Sequence, residues 1–314
     1  MAIHNRILAG VMGQSAAKAF SPAHVTAKIP ITARAFGEIE VRHDLADAIF
    51  WCFMNQRGRP SYTYALGAEI QQVQDWLAAQ YGGLDRPAED LRYFVCGSRT
   101  PGIYNLGGDL RHFAENIRNR DVEAMRTYAE TCVRMQYANA QAFDAPIVTM
   151  ALVQGDALGG GFEHALAFDI IVAERSARMG LPEIVFNLFP GMGAYSFLAR
   201  KVGPRIAEEF ILSGRLHTAE DLHAMGIVDV LAEDGEGERA VIDYITANRR
   251  RFHAERAVYR ARRLSQPVTL DELLAITHIW ADTAMELTDA DVRRMEKLAD
   301  AQERRIRRSE PRAL

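Results

Sequence analysis

Residues 153–197 read VQGDALGGGFEHALAFDIIVAERSARMGLPEIVFNLFPGMGAYSF, and this stretch decides the reading of the whole chain. An apolar run ends at Gln154-Gly155, and the triple glycine Gly159-Gly160-Gly161 follows. Glu163 stands just behind the glycines, and Glu183 comes twenty residues later, after Leu181-Pro182. A glycine run between a strand and a helix leaves backbone N–H groups bare at the helix N-terminus, which suits an anion or an oxyanion. A carboxylate in the first helical turn beside it, and a second delivered by a turn, can hold one water between them as paired acid and base. Burial and mutual repulsion push the two pKa values apart, leaving one carboxyl protonated and one ionised. The plainer alternative makes Glu163 a carboxylate favoured by the helix dipole and Glu183 a turn acid.

Outward from this segment, strands alternate with helices. Tyr93 to Gly97 is a short buried strand, 146–155 (PIVTMALVQG) another, and 170–173 a third; EIEVR and AIFWCFM near residues 38–54 read as strands too. Apolar residues at helical spacing predict helices over 65–80 (Ile70, Val73, Trp76, Leu77) and 121–143 (Val122, Met125, Ala129, Cys132, Met135). This alternation implies parallel βαβ units, an α/β fold. Beyond Gly203 the pattern is mostly helical. A helix begins at Thr218 and stops at Met225-Gly226, a last strand runs from Ile227 to Leu231, and Thr269 to Glu272 is a capping box opening the apolar run LLAITHIW. The final RRMEKLADAQERRIRRSE is so charged that it reads as a solvated or fraying helix. Residues 1–34 show no period and read as an irregular extension.

The order of the motifs is that of a known superfamily. Gln154 to Glu163, Asp169 to Ala173, Gly180 to Glu183 and Pro190 to Gly193 together resemble the enoyl-CoA hydratase (crotonase) superfamily over roughly residues 90–230. FNLFPGMGAYSF, with YNLGGDL upstream and ITHIWADTAMEL near the C-terminus, is most similar to the diffusible signal factor synthase branch, over about 35–305. The resemblance implies a ββα spiral core over 35–245 and a helical C-terminal region over 246–314 that mediates a homotrimer. It implies Glu163 and Glu183 as catalytic residues and an oxyanion hole from the backbone of Gly108 and Gly160. Gly107, Gly159 and Gly161 would flank that hole, while Pro190, Gly191 and Gly193 would let an acyl chain pass. Asp109 reads as a helix cap. Arg111 matches a position where relatives meet the nucleotide end of CoA, and would equally serve a carrier-protein arm or be a plain surface arginine. Trp280 and Met285 lie on an apolar helix face, as core packing or as acyl-pocket lining.

The implied activity is loss of water from a 3-hydroxyacyl thioester of acyl carrier protein, followed by hydrolysis to a cis-2-unsaturated fatty acid signal. A conventional enoyl-CoA hydratase acting on CoA thioesters is the alternative, and a regulatory binding protein on the same scaffold is one of another class. RPSYTYAL at 59–66 and SRTPGIYNLGG at 98–108 depart from the ordinary hydratase pattern and favour the signal-synthase branch, whose members are thought to dock onto a sensor kinase.

Composition sets outer bounds. A chain of 314 residues with net charge −4 gives no reason to expect a nucleic-acid partner. Cys52, Cys96 and Cys132 lie far apart inside apolar runs, as expected of reduced cysteines in a cytoplasmic protein. No apolar run approaches the ~20 residues of a membrane span, and the first residues do not read as a secretory signal. Neither a metal-ligand spacing nor a cofactor motif is present. The apolar positions of the C-terminal helices exceed what one layer can bury, pointing to a subunit interface.

Overall fold

The computed structural model describes residues 30–309, so the extension expected over residues 1–34 lies almost wholly outside the described residues. In chain order the strands are β1 (Ile39–Asp44), β2 (Ile49–Met54), β3 (Tyr93–Ser98), β4 (Ile103–Asn105), β5 (Val148–Val153), β6 (Asp156–Leu158), β7 (Ile170–Glu174), β8 (Arg178–Gly180), β9 (Leu216–Thr218) and β10 (Val230–Ala232). The helices are α1 (Tyr64–Tyr81), α2 (Leu110–Asn119), α3 (Val122–Ala140), α4 (Gly160–Leu166), α5 (Ala194–Val202), α6 (Pro204–Ser213), α7 (Ala219–Ala224), α8 (Gly237–Asn248), α9 (Phe252–Ser265), α10 (Leu270–Met285) and α11 (Asp289–Ser309).

A six-stranded sheet runs β1-β2-β3-β5-β7-β10, and a four-stranded sheet runs β4-β6-β8-β9. From β2 onward the large sheet is parallel, and β4, β6 and β8 are parallel in the small one. Successive turns of chain therefore place one strand in each sheet before returning through a helix, which is the ββα spiral. The central strands β2, β3, β5 and β7 are buried along their whole length, as both faces of a parallel sheet require. Ile49, Trp51, Phe53, Val95 and Val172 form the cluster on one face, where Val241 and Ile245 of α8 close it; the larger core occupies the other face, under α1, α3 and α10.

Residue 245, the boundary expected between the spiral core and the helical C-terminal region, lies within α8. One expectation needs correcting. The charged C-terminal stretch is a packed helix: Val292, Met295 and Ala299 of α11 are buried, while Arg293, Arg294 and Lys297 are exposed. Arg118 grips Glu296 through two bonds, and Arg111 meets Asp300 and Glu303, so α11 is tied to α2. Among the described residues no helix is long and apolar enough to cross a membrane.

Candidate active site

The site is built where the small sheet hands the chain to α4. After β6, Gly159 adopts φ +52°, a conformation that favours glycine, and its N–H donates to Gly180 O of β8 at 2.9 Å. The chain then enters α4, which is buried throughout. Gly161 is small for a packing reason: a Cβ there would meet Asn105 O of β4 at 2.1 Å. The turn after β4 lies directly against Gly159-Gly160. Gly107 has φ +89°, its N–H is fixed by Asn105 Oδ1 at 2.8 Å, and a Cβ on it would come within 2.9 Å of the Gly160 nitrogen.

Two amides are thereby left side by side. A Cβ on Gly160 would lie 3.4 Å from the Gly108 nitrogen, and neither the Gly108 nor the Gly160 N–H has an acceptor among the described residues. The Gly107–Asp109 turn is braced from outside. Tyr62 N donates to Gly107 O at 2.8 Å, and the Tyr128 hydroxyl donates to Tyr62 O while accepting from Asp109 N at 3.3 Å. Asp109 caps α2, accepting from the Arg111 and His112 amides.

Both glutamates face this turn. Glu163 is buried, and its Oε1 accepts from Met192 N at 2.7 Å and Ala194 N at 2.9 Å, at the entrance to α5. Glu183 sits in the 3-10 turn Pro182–Phe186, half-buried as a residue, with an Oε2 closed off from solvent and without a hydrogen bond. Its Oε1 rests on the bare Cα of Gly159, where a Cβ would come within 2.3 Å. Desolvation pushes Glu163 up to about 7, against the two backbone bonds that favour its ionised form. Desolvation and then the charge of Glu163 push Glu183 well above the usual carboxylate range.

These groups line one cavity of about 560 Å³, walled by Leu106, Leu110, Phe113, Tyr128, Phe186, Leu188, Met192, Trp280, Leu298 and Gln302. Among the described residues no Lys, Arg or His lines it. Of the residues expected from sequence, Gly107, Gly108, Gly159, Gly160, Glu163, Glu183, Gly191 and Trp280 come together here. Gly191 lies against the Trp280 indole, where a Cβ would meet Cγ at 2.4 Å. Gly193 caps α5 at φ +113° against Phe197, and Gly161, Pro190, Arg111 and Met285 are not among the lining residues. Sequence reading missed Tyr128, Phe113, Met192, Leu298 and Gln302. For the last two, the three- and four-residue spacing of Val292, Met295, Leu298 and Gln302 was the available signal.

The Enoyl-CoA hydratase/isomerase family model matches residues 86–263. The 2,3-dehydroadipyl-CoA hydratase of Escherichia coli K12 is 36% identical over 194 residues, covering 61% of this chain and 72% of that protein. The mitochondrial methylglutaconyl-CoA hydratase of Mus musculus is 35% identical over 151 residues, 48% of this chain and 46% of its own. Among solved structures, an enoyl-CoA hydratase from Bacillus halodurans superposes with TM-score 0.67 at 18% identity, over 82% of this chain and 99% of that one. Pseudomonas aeruginosa DspI superposes with TM-score 0.64 at 24% identity, over 78% and 87%. At these identities the two structures speak for the fold alone.

Proposed function

Because this chain belongs to the enoyl-CoA hydratase/isomerase family, we propose that Glu163 and Glu183 move water across the Cα–Cβ bond of an acyl thioester held by the Gly108 and Gly160 amides. The observation that carries this reading is the convergence of two desolvated carboxyls and two amides on one apolar cavity that, among the described residues, offers the amides no acceptor and holds no cation. The pair holds one proton between them. In hydration, ionised Glu163 takes a proton from the water whose oxygen attacks Cβ, and protonated Glu183 delivers its proton to Cα. Dehydration reverses both transfers from the opposite protonation state: Glu183 removes the Cα proton, and Glu163 protonates the departing β-hydroxyl. In both directions charge collects on the thioester oxygen as an enolate. Two backbone donors preset there are worth roughly 3 kcal/mol each.

The finer reading is dehydration of a 3-hydroxyacyl group on acyl carrier protein, then hydrolysis of the thioester to release a cis-2-unsaturated fatty acid signal. It rests on the resemblance of 104–110, 186–197 and 276–287 to signal synthases and on the departures at 59–66 and 98–108. A largely apolar cavity suits a hydrocarbon chain, and the same two amides would hold the tetrahedral oxyanion of hydrolysis. The second reading, a hydratase of CoA thioesters, is favoured by the names of the curated relatives. Offering 3-hydroxydecanoyl thioesters of carrier protein and of CoA, with mass spectrometry of the products, separates the two. Free 2-enoic acid from the carrier-protein substrate supports the first. Reversible hydration of the CoA ester without free acid supports the second, and inertness toward both overturns the common mechanism.

A further inference from the structure

A second cavity, of about 530 Å³, opens at the other end of α4. Its walls combine Leu166 at the end of α4, Phe168 just after it, Phe197 of α5 and Val268 before α10 with four cations: Arg200, Lys201, Arg262 and Arg263. Three of the four are occupied. Arg200 holds Glu272 through two bonds of 2.8 and 2.7 Å and also meets Pro267 O. Arg262 and Arg263 both reach the buried Asp169, at 2.7 and 2.6 Å, and Arg263 also caps α3 through Ala140 O. Lys201 has no hydrogen bond or ion pair among the described residues, although its side chain is half-buried. Burial, reinforced by Arg262, pushes its ammonium below the usual lysine range, while Asp229 and Asp169 pull the other way.

We infer that this cavity is a second ligand site, for a monoanionic carboxylate carried on a hydrocarbon stem, with Lys201 as the cation that receives the head group. Charge counting gives the monoanion. Four cations face Asp169 and Glu272, and Asp229 stands within electrostatic reach of Lys201, which leaves one positive charge uncompensated. The walls give the stem: Leu166, Phe168, Phe197 and Val268 offer apolar surface that inorganic phosphate would leave idle. Arg200 and Arg263 are accounted for by the Ser196 and Ala140 carbonyls to which they donate; Lys201 stands in the last turn of α5, where a cation is favoured, but among the described residues it donates to no carbonyl or carboxylate. This site does not depend on the chemistry assigned to the first cavity.

The test uses the full chain and decanoate labelled with ¹³C at the carboxyl, read by NMR titration. Wild type should show two bound carboxylate environments, one from each cavity. Lys201→Met should lose the second, weakening it about tenfold or more, the scale of one charge-assisted hydrogen bond, while thioester turnover is unchanged. Lys201→Arg should retain it. Decanol should displace decanoate from the first cavity but not the second, and millimolar phosphate should displace neither. The absence of any Lys201-sensitive environment in wild type, environments that are unchanged in Lys201→Met, or displacement of the Lys201-sensitive one by decanol or phosphate would each overturn the proposal. A measurement needing no variant is a nuclear Overhauser contact between decanoate methylenes and the Val268 methyls, and its absence at saturation is equally decisive.

Discussion

The two ends of α4 face cavities of nearly equal size, about 560 and 530 Å³, with opposite electrostatics. At the N-terminal end two carboxyls sit among apolar walls, and every polar group that meets them is a backbone amide. At the C-terminal end four cations gather and three find carboxylates. Burial acts on both ends alike, and the counter-ion makes the difference. With no cation beside them among the described residues, Glu163 and Glu183 have raised pKa values, which suits the proton transfer proposed for them. Asp169, in contrast, is gripped by Arg262 and Arg263 and joins α9 to the strand layer.

The largest expected effects fall at the N-terminal end and are kinetic. Gln at Glu163 or at Glu183 keeps the shape and removes proton transfer, so each change should cost about 10² to 10⁴ in hydration rate. The double change should cost far less than the product, because residues acting as one unit are not additive. Stability should be unchanged or higher in Glu183→Gln, since a desolvated carboxyl with a bare Oε2 is removed. A Glu183→Gln protein of full activity would end the proton-sharing reading.

At the C-terminal end the same kind of change should be structural. Asp169→Ala leaves two guanidiniums without their carboxylate and removes the acceptor of the Thr149 amide and hydroxyl. We expect a loss of about 3–5 kcal/mol in urea denaturation, with the turnover of the molecules that remain folded close to wild type. A stable Asp169→Ala protein, or a folded one that is catalytically dead, would erase the distinction between the ends.

pH sharpens the same contrast. Both glutamates bind protons more tightly folded than unfolded, so their protonation favours the native state below the ordinary carboxylate range. That contribution is lost as pH rises through about 7 and above. Unfolding free energy should therefore decline from about pH 5 to 8 more steeply in wild type than in the Glu163→Gln, Glu183→Gln double variant. Hydration rate should fall on the acid side with an apparent pKa near 7, where Glu163 gains its proton. Equal slopes in the two proteins would show that these carboxyls titrate normally.

The two ends were unequally legible in the sequence. Gly159, Gly160, Glu163 and Glu183 lie in one short stretch, and each answers a local demand: a positive φ, a bare amide, a carboxyl beside it. Gly107 and Gly108 were readable through the family resemblance of the turn that holds them. The C-terminal cavity left no such mark. Gln141, Phe168, Lys201 and Val268 meet because four helices end at one place, and long-range convergence leaves no pattern in a linear text. The misreading of α11 has a different cause. Its abundant arginines and glutamates dominate composition, but they are ion-paired on one side while Val292, Met295 and Ala299 at helical spacing fill the core on the other. Periodicity was the better guide than charge density.

The smallest predicted effect lies at the rim of the second cavity. Burial pushes Glu272 up, but the hydrogen bonds from Arg200 and Ser196 outweigh it and hold the carboxyl below its usual range. The pair is about one-third exposed, with side-chain exposures of 27% and 31%, so solvent screens it. Glu272→Gln should thus cost about 1 kcal/mol or less in stability. It leaves the N-terminal end of α4 untouched, and the hydration rate should stay within about twofold of wild type. It also raises the uncompensated charge beside Lys201 from one to two. If that charge receives a carboxylate head, decanoate should bind the second cavity about threefold to tenfold more tightly, with the gain shrinking as salt is added. Unchanged decanoate affinity in a stable Glu272→Gln protein would mean that the arginines serve only to fasten helix ends, and that Lys201 stands apart from any ligand.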